Sequence, residues 1–360
     1  MNKRNYYVDI LRYFLALDVV FIHQHPLQDF SFNFGYFITV IMPRLANPLF
    51  FMISGYYFIN KLLEQHGKGV YLKYIYKTIK PFLLWSIIYF IYDHKDALNF
   101  DLNTFITYIT HSSDNSFHLW FILALLKALT IVTLLYKIKC FNISIYLAVF
   151  IWVIGVLGNS YSFITTQIPV LESLGSIIGE HMALPFTIFG YYAGRMNEKW
   201  KYKRKRLVLI ALFLVISILA IFEINLLLKV NVNGNFNNPF GPYILSILLF
   251  LIVLNIPNKG NYLIKSISTK CKVASIYIYY SHVLVIHLFD YINVNVLNSR
   301  LNSLERYVSI ILIITIISII VNYILNVIKT FLQKNSAGGN VKEYYIGRIK
   351  VLAMERLHRS

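Results

Sequence analysis

The sequence predicts an all-α, polytopic membrane bundle of about ten transmembrane helices with both termini in the cytoplasm. Three observations carry that expectation. Hydrophobic residues make up 57% of the chain and charged residues only 14%, whereas soluble domains carry about 25% charged residues. The apolar residues come in long blocks rather than at helix or strand spacing. The basic residues concentrate in alternate loops between those blocks.

The blocks fall at 8–26, 43–63, 80–92, 117–136, 142–158, 183–195, 207–228, 242–256, 273–291 and 307–329. The first follows Lys3 and Arg4, as a signal peptide would. His23-Gln24-His25-Pro26 stands where a small-residue cleavage site would be, so a retained first helix is expected. The third and sixth blocks are short for a crossing. Either their ends extend into flanking aromatic residues, or the helices are broken and buried by neighbours. The seventh, Leu207 to Leu228, is about 22 residues with one charge, enough to cross a hydrocarbon core at about 1.5 Å per residue.

With the N-terminus inside, the inner loops are 61–80, 137–141, 195–206, 257–272 and the tail after 329. Most of the 34 Lys and Arg fall in them, and the run Lys199 to Arg206 is the strongest marker. Topology thus accounts for the net charge of +18, and no RNA- or DNA-binding motif accompanies it, so no nucleic-acid partner is expected. The expected domains are a transmembrane domain over 1–332 and a basic cytoplasmic tail over 333–360. Within the tail, Val341 to Leu357 reads either as an amphipathic helix on the inner leaflet or as disorder. Residues 159–182 and 229–241 read as external loops. Cys140 and Cys271 read as free thiols. No internal repeat supports an inverted-repeat transporter.

Ionisable side chains inside a bilayer are functional candidates, because burying them is costly. The first block carries Asp9, Arg12, Asp18 and His23. Arg12 and His23 are eleven residues apart, which returns to within about 20° on a helix and separates them by about 16 Å along its axis. A guanidinium near the inner face can hold phosphates bidentately. A deeper imidazole suits a general base. Coenzyme A, with a phosphate-bearing head and a long arm, has the shape to span the two. The same spacing is also met by an Arg that snorkels to the interface and a His bonded within the bundle. Ser54-Gly55 and Gly190/Gly194 read as close helix-packing points. His118 with Trp120 reads either as an acceptor-sugar contact or as an interfacial anchor. Asp18 is paired here with Lys127, and Glu223 has no partner that the sequence reveals. No metal is expected, since no HExxH-type spacing exists.

Several segments resemble, in order, the membrane-bound acyltransferase 3 family. Asp9-Ile-Leu-Arg12, followed eleven positions after the Arg by His23, is similar to that family's first helix. Pro48 to Tyr56 resembles its PLFFxxSGY segment, His118-Leu-Trp120-Phe121 its HLWF, Phe189-Gly190 with Gly194 its sixth helix, and Tyr279-Tyr-Ser-His282 its late YxxH. The matches run from residue 9 to about 329. One departure is Lys77-Thr-Ile-Lys80, which stands on the inner loop before the third helix where the family often has Arg-x-x-Arg. Lysine keeps the positive charge without the fork.

The resemblance implies a multi-pass protein of the cell membrane that moves an acyl group, taken as acetyl, from cytoplasmic acyl-CoA to a hydroxyl of a cell-surface or lipid-linked glycan. His23 would be the base or would carry the acyl group briefly; Arg12, Lys77 and Lys80 would hold the donor's phosphates. Asp9, Ser54, Gly55, Tyr279 and His282 would support the site. No extracytoplasmic SGNH hydrolase-like domain is expected, so the protein would act on its acceptor directly or hand the group to a partner in polysaccharide assembly. The alternative from another class is a transporter or flippase of a lipid-linked oligosaccharide.

Overall fold

The computed structural model describes residues 4–27, 32–67, 69–94, 102–111, 115–165, 168, 182–200, 204–230, 239–258, 260–299 and 301–336. Among them every regular element is helical: α1 (Tyr6–Gln24), α2 (Phe32–Glu64), α3 (Val70–Asp93), α4 (Leu102–His111), α5 (Trp120–Lys137, entered through the 3-10 turn Phe117–Leu119) and α6 (Ser144–Leu157). They continue with α7 (Ser162–Thr165), α8 (Ala183–Lys199), α9 (Lys205–Val230), α10 (Phe240–Leu254), α11 (Tyr262–Asn295) and α12 (Ser303–Ser336). Each of the ten apolar blocks lies wholly or almost wholly in one of these helices. Most of the 159–182 and 229–241 loops, and the Val341 to Leu357 segment, lie outside the described residues.

Several boundaries differ from the sequence expectation: α2 begins at Phe32 and α11 at Tyr262, each eleven residues before its apolar block. Helix α3 starts at Val70, so Lys77 and Lys80 ride on a helix and not on the loop before it. Charges end an apolar block but not a ladder of backbone hydrogen bonds. Pro81 sits inside α3; its missing N–H leaves the carbonyl of Lys77 without the usual helical partner. Helix α4 lies in a segment that carried no apolar block.

The chain marks several ends chemically. Asn5 caps α1, its side-chain oxygen accepting from the N–H groups of Tyr7 and Val8 at 3.0 and 3.3 Å. His25 closes the same helix in the left-handed region, φ 44°, and returns its N–H to Phe21 O. At α12, Asn302 and Glu305 accept from each other's backbone N–H at 2.8 and 3.0 Å, a reciprocal cap.

Helices α1, α2, α8, α10 and α11 form the centre. The tightest crossing is α2 on α8. A Cβ on Gly55 would lie 1.9 Å from Thr187 O, and one on Gly190 would lie 2.0 Å from Met52 O. Backbone therefore meets backbone, and only glycine fits. A Cβ on Gly194 would strike the Tyr56 ring. The packing role read from these glycines is what the structure shows. A second apolar cluster, with Ala16, Val20, Ile278, Ile286 and Ile310 among its members, joins α1, α11 and α12.

Among the described residues, four helical stretches are long and apolar enough to cross a membrane: Phe117–Lys137, α9, α11 and Ser303–Ile328 of α12. They differ in surroundings. In α9 and α12 only 17% of the apolar stretch is buried, against 44% in the other two. Leu214, Ile218 and Phe222 of α9 and Leu312, Ile316 and Ile320 of α12 are left on the surface. A contiguous apolar face of that length suits hydrocarbon and not water.

Candidate functional site

Helix α1 carries a cluster of cations at one end and a cluster of imidazoles at the other. The cation end is built around Asp9, which is buried. Its carboxylate accepts from Arg4 Nε at 2.6 Å and from an Arg12 terminal nitrogen at 3.4 Å. The Arg12 guanidinium lies over the Tyr57 ring of α2, 5.4 Å from its centroid, within cation–π range. Arg4 also reaches Ser268 Oγ of α11 at 3.3 Å. One turn further along α11, Lys272 stands within electrostatic reach of Asp9, Arg12, Arg4 and Lys77. Arg4, Arg12 and Lys272 thus stand around one carboxylate, with exposed Lys77 within reach of Lys272. The start of α1 is clamped to the α10–α11 connection, where Asn258 exchanges hydrogen bonds with Tyr6 N and Arg4 O. Such a pocket favours an anion that brings more than one negative charge.

Arg12 and Lys77 each stand within electrostatic reach of Lys272, and Arg4 and Tyr57 flank Arg12 and Asp9. Lys80 is exposed, and among the described residues no hydrogen bond or ion pair ties it to this group. Asp18 does not meet Lys127, which is exposed. Ion pairs join Asp9 to Arg4 and Arg12, Arg195 to Glu198, and Arg306 to Asp290. Asp18 instead stands near Tyr307 of α12.

At the other end, three imidazoles from three elements converge. His23, in the last turn of α1, stacks on His282 of α11, with ring centroids 5.1 Å apart and planes 19° apart. His118, in the 3-10 turn before α5, meets His282 edge-on at 4.7 Å. Phe117 packs edge-on against His23 at 4.9 Å. Two hydrogen bonds fix the frame: Tyr279 donates its hydroxyl to His118 O at 2.7 Å, and Tyr89 of α3 donates to Tyr280 O at 2.8 Å. The turn before Phe117 is pinned by Asp93, which accepts from Asn115 and Tyr108, each at 2.5 Å.

His282 is fully buried. Its Nδ1 lies 2.8 Å from Tyr279 O and 3.1 Å from Ile278 O. Both neighbours are carbonyls and can only accept, so Nδ1 carries a proton. In the neutral ring the lone pair is therefore on Nε2, which is buried and has no hydrogen-bond partner. Neither nitrogen of buried His118 makes a hydrogen bond of ordinary geometry, though backbone of Tyr280 and Asn115 is close. Among the described residues no group of three or more His, Cys, Asp or Glu is arranged to hold a metal ion.

His118 and Trp120 do not share a surface. His118 is 4% exposed within the imidazole cluster, while Trp120 is 39% exposed. Tyr279 and His282 belong to the site, one as a fastener and one as a member. The sequence reading gave His118 and His282 separate roles, because nothing in their spacing says that they meet. Glu223, without a partner in the sequence, accepts from Tyr161 Oη and from the backbone N–H groups of Phe240 and Gly241, the latter two at 2.7 Å. It caps α10.

Residues 5–326 match the family model described as "Acyltransferase domain", that of the acyltransferase 3 family. The chain is similar to an "Amino-acid racemase" of Enterococcus faecalis, 28% identical over 213 residues that cover 55% of this chain and 30% of that protein. It is also similar to the "Serine/alanine racemase" of Enterococcus gallinarum, 27% identical over 227 residues, 61% of this chain and 32% of that one. The chain spans about a third of the length of the curated relatives it matches. No solved structure matches it.

Proposed function

Because this chain belongs to the acyltransferase 3 family, we propose that it is a multi-pass enzyme of the cell membrane that moves an acetyl group from cytoplasmic acetyl-CoA to a hydroxyl of a cell-surface or lipid-linked glycan. In this reading the helices make about ten crossings with both ends of the chain inside.

One observation carries the proposal. A single straight helix, α1, holds the cation cluster and the imidazole cluster about 16 Å apart. The donor's phosphates rest against Arg12, Arg4, Lys77 and Lys272, with Lys80 at the rim. Its arm runs along α1 and delivers the thioester to His23. His23 is the group that attacks the thioester or takes the acceptor's proton. Burial keeps water from the thioester. The glycan hydroxyl comes from the opposite side, past the turn that carries His118.

The second reading is a transporter or flippase. What favours it is that ionisable side chains, Asp9 and His118 among them, are buried among apolar helices, as along a substrate path. One experiment separates the two. Inverted membrane vesicles are given labelled acetyl-CoA and the polymers are analysed. Label in a glycan, lost in His23→Gln, supports acyl transfer. Unlabelled polymers in wild-type vesicles refute it.

A further inference from the structure

The stacked pair His23 and His282 is chemically unequal, and the proposed acetyl transfer, on which this inference rests, can use the inequality. His282 has its Nδ1 proton committed to two carbonyls of its own helix, and its buried Nε2 lone pair has no partner. A buried polar atom left unsatisfied is costly, and an apolar side chain at this position would avoid that cost. His23 is less buried, and among the described residues no hydrogen bond holds its ring. It is free to form a bond. His282 is held in one tautomer with one open acceptor.

We infer that the two imidazoles divide the reaction: His23 carries the acetyl group as an acyl-imidazole, and His282 Nε2 is the general base that frees the acceptor hydroxyl. In the first step a ring nitrogen of His23 attacks the thioester carbonyl. The N–C bond forms, the C–S bond breaks, and the proton on the other ring nitrogen leaves with the thiolate, giving free CoA thiol. In the second step the acceptor oxygen attacks the same carbonyl as His282 Nε2 takes its proton. The O–C bond forms and the N–C bond breaks. The proton on His282 then passes to the departing His23 nitrogen, restoring two neutral rings. A stack of 5.1 Å puts the hydroxyl within reach of both, since a base needs about 2.6–3.2 Å to the oxygen it deprotonates. The neighbouring ring of His118 closes the site against water.

The test uses two variants of the full chain in native membrane vesicles that contain the acceptor glycan, with [14C]acetyl-CoA as the probe. His282→Asn keeps an N–H where Nδ1 donates but has no base at Nε2. His282→Gln places an amide near Nε2 and loses the Nδ1 donor. Both are expected to release about one equivalent of CoA thiol per chain and then slow roughly 100-fold or more, the usual range for loss of a general base. The label stays on the protein, is removed by neutral hydroxylamine, and is absent in the double variant with His23→Ala. Transfer at wild-type rates in His282→Asn overturns the inference. So does loss of the initial thiol release together with transfer in both variants, while the protein stays folded by detergent-exchange and thermal-melt criteria. If wild-type vesicles release no thiol from acetyl-CoA, the acyltransferase reading itself falls, and this inference with it.

Discussion

Two polar clusters lie among the apolar helices, and they differ in one respect. The Glu223 carboxylate is matched: it accepts from one phenol and from two backbone N–H groups at the start of α10. Around His23, the neighbouring imidazoles His118 and His282 keep buried nitrogens that no described residue engages in a normal hydrogen bond. Buried from water, both arrangements carry a desolvation cost, and the Glu223 carboxylate recovers it within the fold. The comparison teaches where to look for chemistry. A satisfied intramembrane charge is holding the structure together. In the proposed reading, the open imidazole nitrogens are the ones a ligand engages.

The sharpest way to break that comparison is His23→Ala. It is expected to leave the protein in the membrane with a modest loss of thermal stability, because the ring gives up its packing on His282 and Phe117 but no hydrogen bond. Glycan acetylation, followed by mass spectrometry of the surface polymer, is expected to fall by about 10²–10⁴-fold, the range a positioned acid–base group supplies. Acetylation at the wild-type level would remove His23 from the chemistry.

Glu223→Ala is the mirror experiment. It strands two backbone N–H groups and a phenol, so a loss of about 1–3 kcal/mol in stability is expected. Acetylation per folded molecule should stay within about twofold. A variant that melts like wild type but acetylates poorly would reverse the assignment of the two clusters.

The difference between the clusters was only partly legible in the sequence. The eleven-residue step from Arg12 to His23 is local to one helix, and helical geometry alone places both on one face. Gly55, Gly190 and Gly194 were equally readable, since small residues in apolar helices have few uses besides close approach. The meeting of residues 23, 118 and 282 is tertiary and leaves no periodic trace. Its faint signal is that His282 is flanked at helical spacing by Ile278, Val285 and Ile286, all buried, so its ring had to turn inward. Glu223 was opaque for another reason. Its donors are backbone groups at the start of the next helix, and any residue type supplies those. Lys77 and Lys80 were assigned to a loop because charge was read as the end of a helix.

Arg12 falls between the two clusters, being partly engaged by Asp9 and partly free. Arg12→Ala is expected to raise the KM for acetyl-CoA roughly tenfold, about 1.4 kcal/mol of donor binding. Arg12→Lys should lose less, since it keeps the charge. Equal losses would assign the interaction to the two-pronged geometry of the guanidinium. No loss in either variant would take Arg12 out of the donor site and leave Arg4, Lys77 and Lys272 to hold it.

The smallest effect is expected at Arg306, which grips Asp290 with two hydrogen bonds of 2.8 and 2.5 Å where α11 meets α12. This pair is as well satisfied as Glu223, but its side chains are 36% and 33% exposed. Water competes for both partners and solvent screens their attraction, so such pairs contribute about 0–1 kcal/mol. Arg306→Ala should therefore shift stability by less than about 1 kcal/mol and leave acetyl transfer unchanged. Thermal melts in detergent at low and high salt measure this directly: the wild-type protein should lose the small difference as salt rises. A loss as large as that of Glu223→Ala, insensitive to salt, would mean that satisfaction of hydrogen bonds and not burial sets the cost, and the contrast between the two intramembrane clusters would need another cause.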